Sequence, residues 1–435
     1  MSISIHQNTL TREYKGMFHL FTRILLLFLL LLSITNAENN KINIYSDVEK
    51  SVYQIRVLNK QTRKKSVIGS GFVVGRADIL ATNYHVVSSY VNEPETYDLE
   101  YFSTSGETGA LELLDLDVVH DLAVVKAKKA LGKPLNITNI PNKGANLYSL
   151  GNPMDLGFSI VEGTNNGLMK YSEEKNILFS GSLNPGMSGG PTLNESGEVV
   201  GVNVATSGNE ISFLVPAEHL SSILGRLKLR NYKPEDDFFQ LISDQLLSDN
   251  KAFISRLLSE KWGHEKIGKF SVPSELSRSV RCWDISRVAE EDDLFRLFFT
   301  RCSNERGIYL DDGLELGTLD YEYQWLESDE LHPARLYNHY EEMNDSNLPS
   351  NAGKDDVTNF ACNTRFISVD KQDFKATICR RDYINYTGLS DVLITMAMVG
   401  HKNKGFIFNL DMVGTDFDSA LKLYQKILGE FKWKG

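Results

Sequence analysis

Between Ile42 and Val215 the apolar residues come in short runs, alternating or clustered, each broken by Gly, Asn, Asp or Pro. Ser51 to Val57, Ser66 to Val74, Leu122 to Val125, Asn146 to Leu150 and Val199 to Val204 are such runs. A half-buried strand has a side-chain period of two, so short segments at this spacing predict an all-β barrel or sandwich. From Ala217 to Leu229 the period becomes helical, with Leu220, Ile223 and Leu227 on one face.

One turn among these strands carries chemistry. Asn184-Pro185-Gly186-Met187-Ser188-Gly189-Gly190-Pro191 follows the apolar segment Ile177-Leu178-Phe179. The glycines let the chain fold tightly, so that the backbone N–H groups of Gly186 and Ser188 can form an oxyanion hole beside the serine hydroxyl. A serine needs a general base to act as a nucleophile at neutral pH. His85, in Leu80-Ala81-Thr82-Asn83-Tyr84-His85-Val86-Val87, is the candidate base. Asp121, which leads into Leu122-Ala123-Val124-Val125, is the candidate that orients it and stabilises the imidazolium. Asp115 and Asp117 are nearby acids without that context. His120 and His219 fall in other segments: strand alternation turns His120 away from its neighbour Asp121, and His219 is expected on a solvated helix face.

These residues resemble the trypsin-like serine proteases, and within them the HtrA/Deg branch. The chain order His, Asp, Ser is that of the chymotrypsin-like enzymes. Gly69-Ser70-Gly71-Phe72-Val73-Val74 is similar to the branch's approach to its histidine. Gly151-Asn152-Pro153 with Ser159 to Gly163, Gly201 to Ala205, and Phe213 to Ala217 are similar to its later segments. The resemblance covers about residues 45–228. It implies two six-stranded barrels meeting near Asn136 to Gly144, with the site in the cleft between them. It also implies a primary pocket lined by Ser182, Asn203, Val204 and Ala205. No carboxylate sits at the base of that set, so small or medium apolar side chains are the expected preference. Two departures stand out. Met187 occupies the position where zymogens of this class have aspartate and the HtrA branch has asparagine. No glycine-bearing, carboxylate-binding loop of a PDZ domain opens the region after residue 235.

Asn231 to Asp237, with Pro234, reads as a boundary. Beyond it, Phe238, Leu241, Ile242 and Leu246 form one helical stripe and Ile254, Leu257 and Leu258 another, with Asp249 as the expected N-cap between them. Strand-like runs follow at Leu294–Thr300, Leu314–Leu326, Arg365–Val369, Lys375–Arg380, Val392–Val399 and Gly405–Leu410. His401 to Lys404 is a hairpin turn, and a last helix starts after Thr415 as cap. The fold expected for the whole chain is an all-β, trypsin-like double barrel over 42–229 followed by an α+β domain over 236–435.

The remaining features bound the function. A net charge of −11 with no basic stripe argues against nucleic acid as a partner. Arg12, Lys15 and Arg23 precede the apolar run Ile24–Leu32 and the small residues before Ala37, the pattern of a cleaved signal peptide over 1–37. The run is too short to span a bilayer comfortably. The mature chain is therefore expected to be exported without a stable span, periplasmic in a Gram-negative source and otherwise secreted. All four cysteines lie late, at Cys282, Cys302, Cys362 and Cys379, and are disulfide candidates with three pairings open. His264, His332, His339 and His401 are not at metal-ligand spacing, so neither metal nor cofactor is expected. The expected activity is endopeptidase cleavage of unfolded or partner proteins, with a protease-fold binding protein or holdase as the alternative. The C-terminal half is expected to recognise a partner or to control access to the cleft.

Overall fold

The computed structural model describes residues 46, 48–153, 157–206, 211–286, 294–344 and 348–435, with positions 205 and 206 as backbone only. The expected signal segment, 1–37, lies outside the described residues. In the first half, Val52–Asn59 (β1), Lys65–Val73 (β2), Ile79–Thr82 (β3), Tyr97–Phe102 (β4), Thr108–Asp117 (β5) and Leu122–Ala127 (β6) close into one antiparallel barrel of order β1-β2-β3-β6-β5-β4. A helix, Tyr84–Asn92 (α1), leaves the end of β3. Asn146–Gly151 (β7), Ser159–Leu168 (β8), Ile177–Ser180 (β9), Pro191–Leu193 (β10), Val199–Thr206 (β11) and Ser212–Pro216 (β12) close the second, of order β10-β11-β12-β9-β8-β7. Helix Ala217–Leu229 (α2) then packs Leu220, Ile223 and Leu227 into the seam between the barrels, against Phe72, Val74, Leu150 and Val202. The double barrel and the helical switch are as the sequence pattern predicts.

The chain turns through Asn231 and Tyr232, both with left-handed backbone, into one long helix, Phe238–Ser259 (α3). The two stripes thus belong to a single helix. Its N-cap is Asp237, whose carboxylate accepts from the Gln240 N–H at 3.0 Å. Asp249 lies mid-helix, and its carboxylate is taken by Arg306. A small sheet, His264–Ile267 (β13) and Phe270–Pro273 (β14), precedes a seven-stranded antiparallel sheet. Its strands are Arg281–Asp284 (β15), Arg296–Ser303 (β16), Leu319–Glu327 (β19), Ala361–Val369 (β20), Gln372–Asp382 (β21), Leu389–Met398 (β22) and Lys404–Asp416 (β23), in the order β15-β16-β19-β23-β22-β21-β20. A two-stranded hairpin, Ile308–Asp311 (β17) and Leu314–Leu316 (β18), interrupts it. The expected continuous strand from Leu314 to Leu326 therefore breaks in two. Gly317, at φ +91°, turns the chain and donates its N–H to the Val413 carbonyl at 2.9 Å.

Helix Pro333–Met343 (α4) lies over one end of the sheet, with Leu336 and Tyr340 against Leu326 and Ile407. The last helix, Phe417–Gly429 (α5), is capped by Asp416 and not by Thr415: Asp416 accepts from the Ser419 N–H at 2.9 Å, while the Thr415 hydroxyl turns to Asn250. The chain closes with Lys432–Trp433 (β24) beside β14. Apolar faces of α3 and α5 cover one side of the large sheet, on Tyr321, Tyr323, Phe406, Phe408 and Leu410. The cysteines pair as Cys282–Cys302 and Cys362–Cys379, each across directly opposed residues of neighbouring strands.

The two halves are not beads on a string. Ile242 and Leu246 of α3, Ile308, Leu310, Leu314 and Leu316 of the hairpin, and Tyr386 and Val413 form one continuous apolar cluster with Ile55, Val57, Tyr84 and Leu99 of the first barrel. Polar clamps ring it. Gln245 accepts from the Val118 N–H and donates to the Leu116 carbonyl, both at 2.8 Å. Arg306, only 5% exposed, bridges Asp249 to Glu174 in the segment between β8 and β9. Burial works against the Arg306 charge, but the two carboxylates outweigh it and raise its pKa. Glu173 of the same segment pairs with Arg256 and accepts from the Ser279 hydroxyl.

Candidate active site

Asn83 ends β3 and opens α1, which carries His85 in its first turn. The segment between β5 and β6 carries Asp121, whose backbone is left-handed at φ +53°. Aspartate tolerates that region better than most residues. The Asn83 side chain donates to the Asp121 carbonyl at 2.8 Å and fixes the bend. The carboxylate then reaches His85 twice. Its Oδ1 accepts from the His85 backbone N–H at 2.8 Å, and its Oδ2 lies 2.7 Å from His85 Nδ1. This pairing puts the proton on Nδ1 and leaves Nε2 free as a base. Burial pulls the His85 pKa down, but the Asp121 charge and hydrogen bond win, and it lies above the ordinary value.

The other acids are used elsewhere. Asp115 is fully buried and paired with Arg226 at 2.9 Å and Arg230 at 2.8 Å. Asp117 accepts from the His120 backbone N–H and lies 2.8 Å from its Nδ1. His120 in turn stacks on His219, ring centroids 3.7 Å apart. His219 is thus half-buried in a ring stack, contrary to the solvated face expected of it. Burial first, and the His120 charge second, lower its pKa.

Ser188 sits on the turn between β9 and β10. Gly186 and Gly189 have positive φ, +94° and +83°. A side chain at Gly189 would also collide with the Ser70 carbonyl and the Thr82 hydroxyl, which is why the turn needs glycine. Met187 is fully buried in the second barrel, among Leu147, Ile177, Phe179, Leu183, Val200 and Leu214. Where a zymogen would form an ion pair, this turn has an apolar anchor. Among the described residues, the N–H groups of Gly186 and Ser188 donate to no protein group. The Ser188 hydroxyl donates to the Val204 carbonyl at 2.8 Å, and no hydrogen bond joins it to His85.

Of the pocket candidates, Ser182 is exposed and Val204 half-buried. Asn203 is fully buried beneath the turn: it accepts from the Thr192 hydroxyl at 2.6 Å and donates to the Leu150 and Met187 carbonyls. The Ala205 side chain is outside the described atoms. Sequence reasoning missed Ser70. Its hydroxyl donates to the Gly186 carbonyl at 2.7 Å and accepts from the Asn152 N–H, and its own N–H donates to the Ser188 carbonyl at 2.7 Å. It lies in the Gly69-to-Val74 run, whose small residues beside a strand were the available signal.

The two closed antiparallel barrels, with a serine turn on one and a His–Asp pair on the other, have the trypsin-like double-barrel fold. Residues 69–202 match the trypsin-like peptidase domain family. Within that class the domain is similar to HtrA proteases. The chain is 28% identical to human serine protease HTRA3 over 177 residues, 38% of this chain and 39% of that one. It is 29% identical over 176 residues to the mitochondrial serine protease HTRA2 of Drosophila pseudoobscura pseudoobscura, 38% of this chain and 40% of that one. The match thus spans about two fifths of each relative's length. Among solved structures, that titled Deg5 matches at 23% identity with a TM-score of 0.38, covering 44% of this chain and 94% of its own.

Proposed function

We propose that the chain is an exported serine endopeptidase that hydrolyses peptide bonds of unfolded or partner proteins. The proposed division is a signal segment over 1–37, a protease domain over 42–229 and a C-terminal domain over 236–435. The observation that carries the reading is the two-point grip of Asp121 on His85, at 2.8 Å to the backbone and 2.7 Å to the ring. Asp117 grips His120 in the same way, so what sets His85 apart is its place beside the serine turn, where the Asn83 backbone lies against Gly189; there the grip supplies what a general base needs. In the proposed reaction the Ser188 hydroxyl leaves Val204 and rotates toward His85. Its oxygen attacks the scissile carbonyl carbon while its proton passes to Nε2. The oxyanion is held by the N–H groups of Gly186 and Ser188, each such donor being worth about 2.7–4 kcal/mol in the transition state. The imidazolium then protonates the leaving amine, and water resolves the acyl-enzyme by the same route. The disulfides favour an oxidising compartment and so support export. Among the described residues no helix is long and apolar enough to cross a membrane.

A second reading, a protease-fold binding protein with little turnover, is favoured by one observation, the Ser188 hydroxyl bonded to Val204 and not to His85. A fluorophosphonate probe separates the two. The protease reading expects covalent labelling of the wild-type chain that disappears in Ser188→Ala, together with casein cleavage that disappears with it. A folded wild-type chain that neither labels nor cleaves would leave the binding protein standing.

A further inference from the structure

Nothing in the barrels explains what stands beside the His85 ring. The neighbour is Tyr309, which comes from the far half of the chain. Its ring meets that of His85 edge to face, centroids 6.1 Å apart and planes at 81°. The hairpin that carries it is built to hold it there. Ile308, Leu310, Leu314 and Leu316 are buried in the core shared with the first barrel. Tyr309 lies between two of them on β17, half-buried at the edge of that core, with its ring against the first turn of α1. The Leu310 carbonyl accepts from the Tyr84 hydroxyl at 2.8 Å and from the Asn92 side chain at 3.3 Å, so α1 is fastened at both ends to the residue after Tyr309. Within α1 the Ser88 hydroxyl donates to the His85 carbonyl at 3.2 Å. At its other end the hairpin is tied to the large sheet, through the Gly317 N–H to the Val413 carbonyl and the Val413 N–H to the Thr318 carbonyl, both 2.9 Å.

We propose that Tyr309 is a positioning residue of the catalytic site, supplied by the C-terminal region. It holds the His85 ring from the side that Asp121 leaves open and keeps water off it. Asp121 fixes one edge of the imidazole, but a ring held at one edge can still tilt about that bond. The edge-to-face contact removes the tilt and keeps Nε2 aimed toward Ser188. Aromatic pairs at this separation have a preferred mutual geometry, and a general base gains from a fixed one. The C-terminal half is then part of the catalytic apparatus and not an appended recognition module. This inference rests on the protease reading for its catalytic consequence, but not for its effect on the His85 ring.

The test uses the full chain and compares Tyr309→Ala, Tyr309→Leu and Tyr309→Phe. Tyr309→Phe keeps the ring and is expected to stay within about threefold of wild type in the rate of fluorophosphonate labelling. Tyr309→Ala and Tyr309→Leu are expected to label roughly 10- to 100-fold more slowly, with most of the loss in kcat and little in KM. In Tyr309→Ala the vacated space lets water reach the imidazolium and favours it, so the acidic limb of that variant's pH profile is expected to move upward. Leucine fills the space, so a deficit shared by both variants reports the lost ring and not a collapsed hairpin. Imidazole NMR of histidine-labelled protein reads the His85 pKa whether or not the chain cleaves anything. An unlabelled wild type would defeat the protease reading alone. A labelling rate unchanged in a folded Tyr309→Leu, or a His85 pKa unchanged in a folded Tyr309→Ala, would overturn the role of Tyr309 alone.

Discussion

Ser70, on the first barrel, donates its hydroxyl to the carbonyl of Gly186 on the second, at 2.7 Å across the cleft. The same oxygen accepts from the Asn152 N–H at 2.9 Å, so one fully buried hydroxyl closes a three-way junction under the nucleophile turn. This bond fixes the peptide between Gly186 and Met187, whose own N–H donates to the Asn184 carbonyl at 3.0 Å and which stands between the two N–H groups proposed to meet the oxyanion.

Ser70→Ala is expected to leave the barrels folded but the turn loose. The Gly186 carbonyl and the Asn152 N–H lose their partner, which costs about 1–3 kcal/mol of stability. Peptide hydrolysis should fall by roughly tenfold or more, in kcat before KM, because a loosened donor affects the transition state most. Thermal unfolding and steady-state kinetics on one preparation check both parts. A full kcat in the variant would mean that the turn holds its shape without Ser70.

How far the sequence carried the reading follows from what local patterning can encode. The barrels were legible because strand alternation and glycine turns are local, and the pairing of His85 with Asp121 and the tight turn at Ser188 were legible because each sits in a run with its own signature. Asp249 misled because a polar residue between two apolar stripes looks like a cap. It is mid-helix because Arg306, 57 residues on, takes its charge. The break at Gly317 and the place of Tyr309 were hidden for a related reason. Both depend on partners, Val413 and His85, that are near only after the chain has folded. Met187 looked like a gap in the activation machinery, because the sequence could not show the apolar pocket that receives it.

Asp121→Asn should retain the fold and lose roughly 10⁴-fold in kcat, because an amide no longer selects the tautomer with Nε2 free. The pH profile gives a second check. The base must be neutral to act, and Asp121 holds the His85 pKa above its ordinary value against the opposing effect of burial. Wild-type activity is therefore expected to fall, on acidification, at a pH above the usual histidine range. In Asp121→Asn the residual activity should persist to lower pH. For stability the sign is the reverse: the pair's contribution is full below the unfolded histidine pKa and is lost as pH rises through the raised folded value.

Met187→Ala removes the apolar anchor of the serine turn. The residue is fully buried, and truncating a buried methionine costs about 2–5 kcal/mol. Fluorophosphonate labelling of Ser188 should slow together with the loss of stability in denaturant. Met187→Leu, close in volume, should keep both within a small margin. Because the anchor is apolar, labelling of the wild-type chain should not depend on a free N-terminal ammonium, and acetylating the N-terminus should leave the rate unchanged. A rate that drops on acetylation would show that the turn uses an ion pair after all.

Asp411, on β23, is 7% exposed and has one carboxylate oxygen buried without a partner. Burial pushes its pKa up to about 8, the nearby Glu322 and Asp320 push the same way, and Arg301 only partly offsets them. An unfolded aspartate ionises near about 3.9, so between that pH and about 8 the folded chain holds a proton that the unfolded chain has released. Stability must then fall as pH rises through this window, by roughly a few kcal/mol. Asp411→Asn takes that term away, since an amide has the same shape and no charge to bury. Denaturant unfolding at pH 5 and at pH 8 should show a drop in the wild type that is smaller in the variant, with the variant the more stable at pH 8. Glu322, whose pKa burial also raises, leaves part of the slope in place. If the two chains lose stability equally between pH 5 and pH 8, Asp411 is already ionised in the folded protein, and the polar face of the sheet is better solvated than its burial indicates.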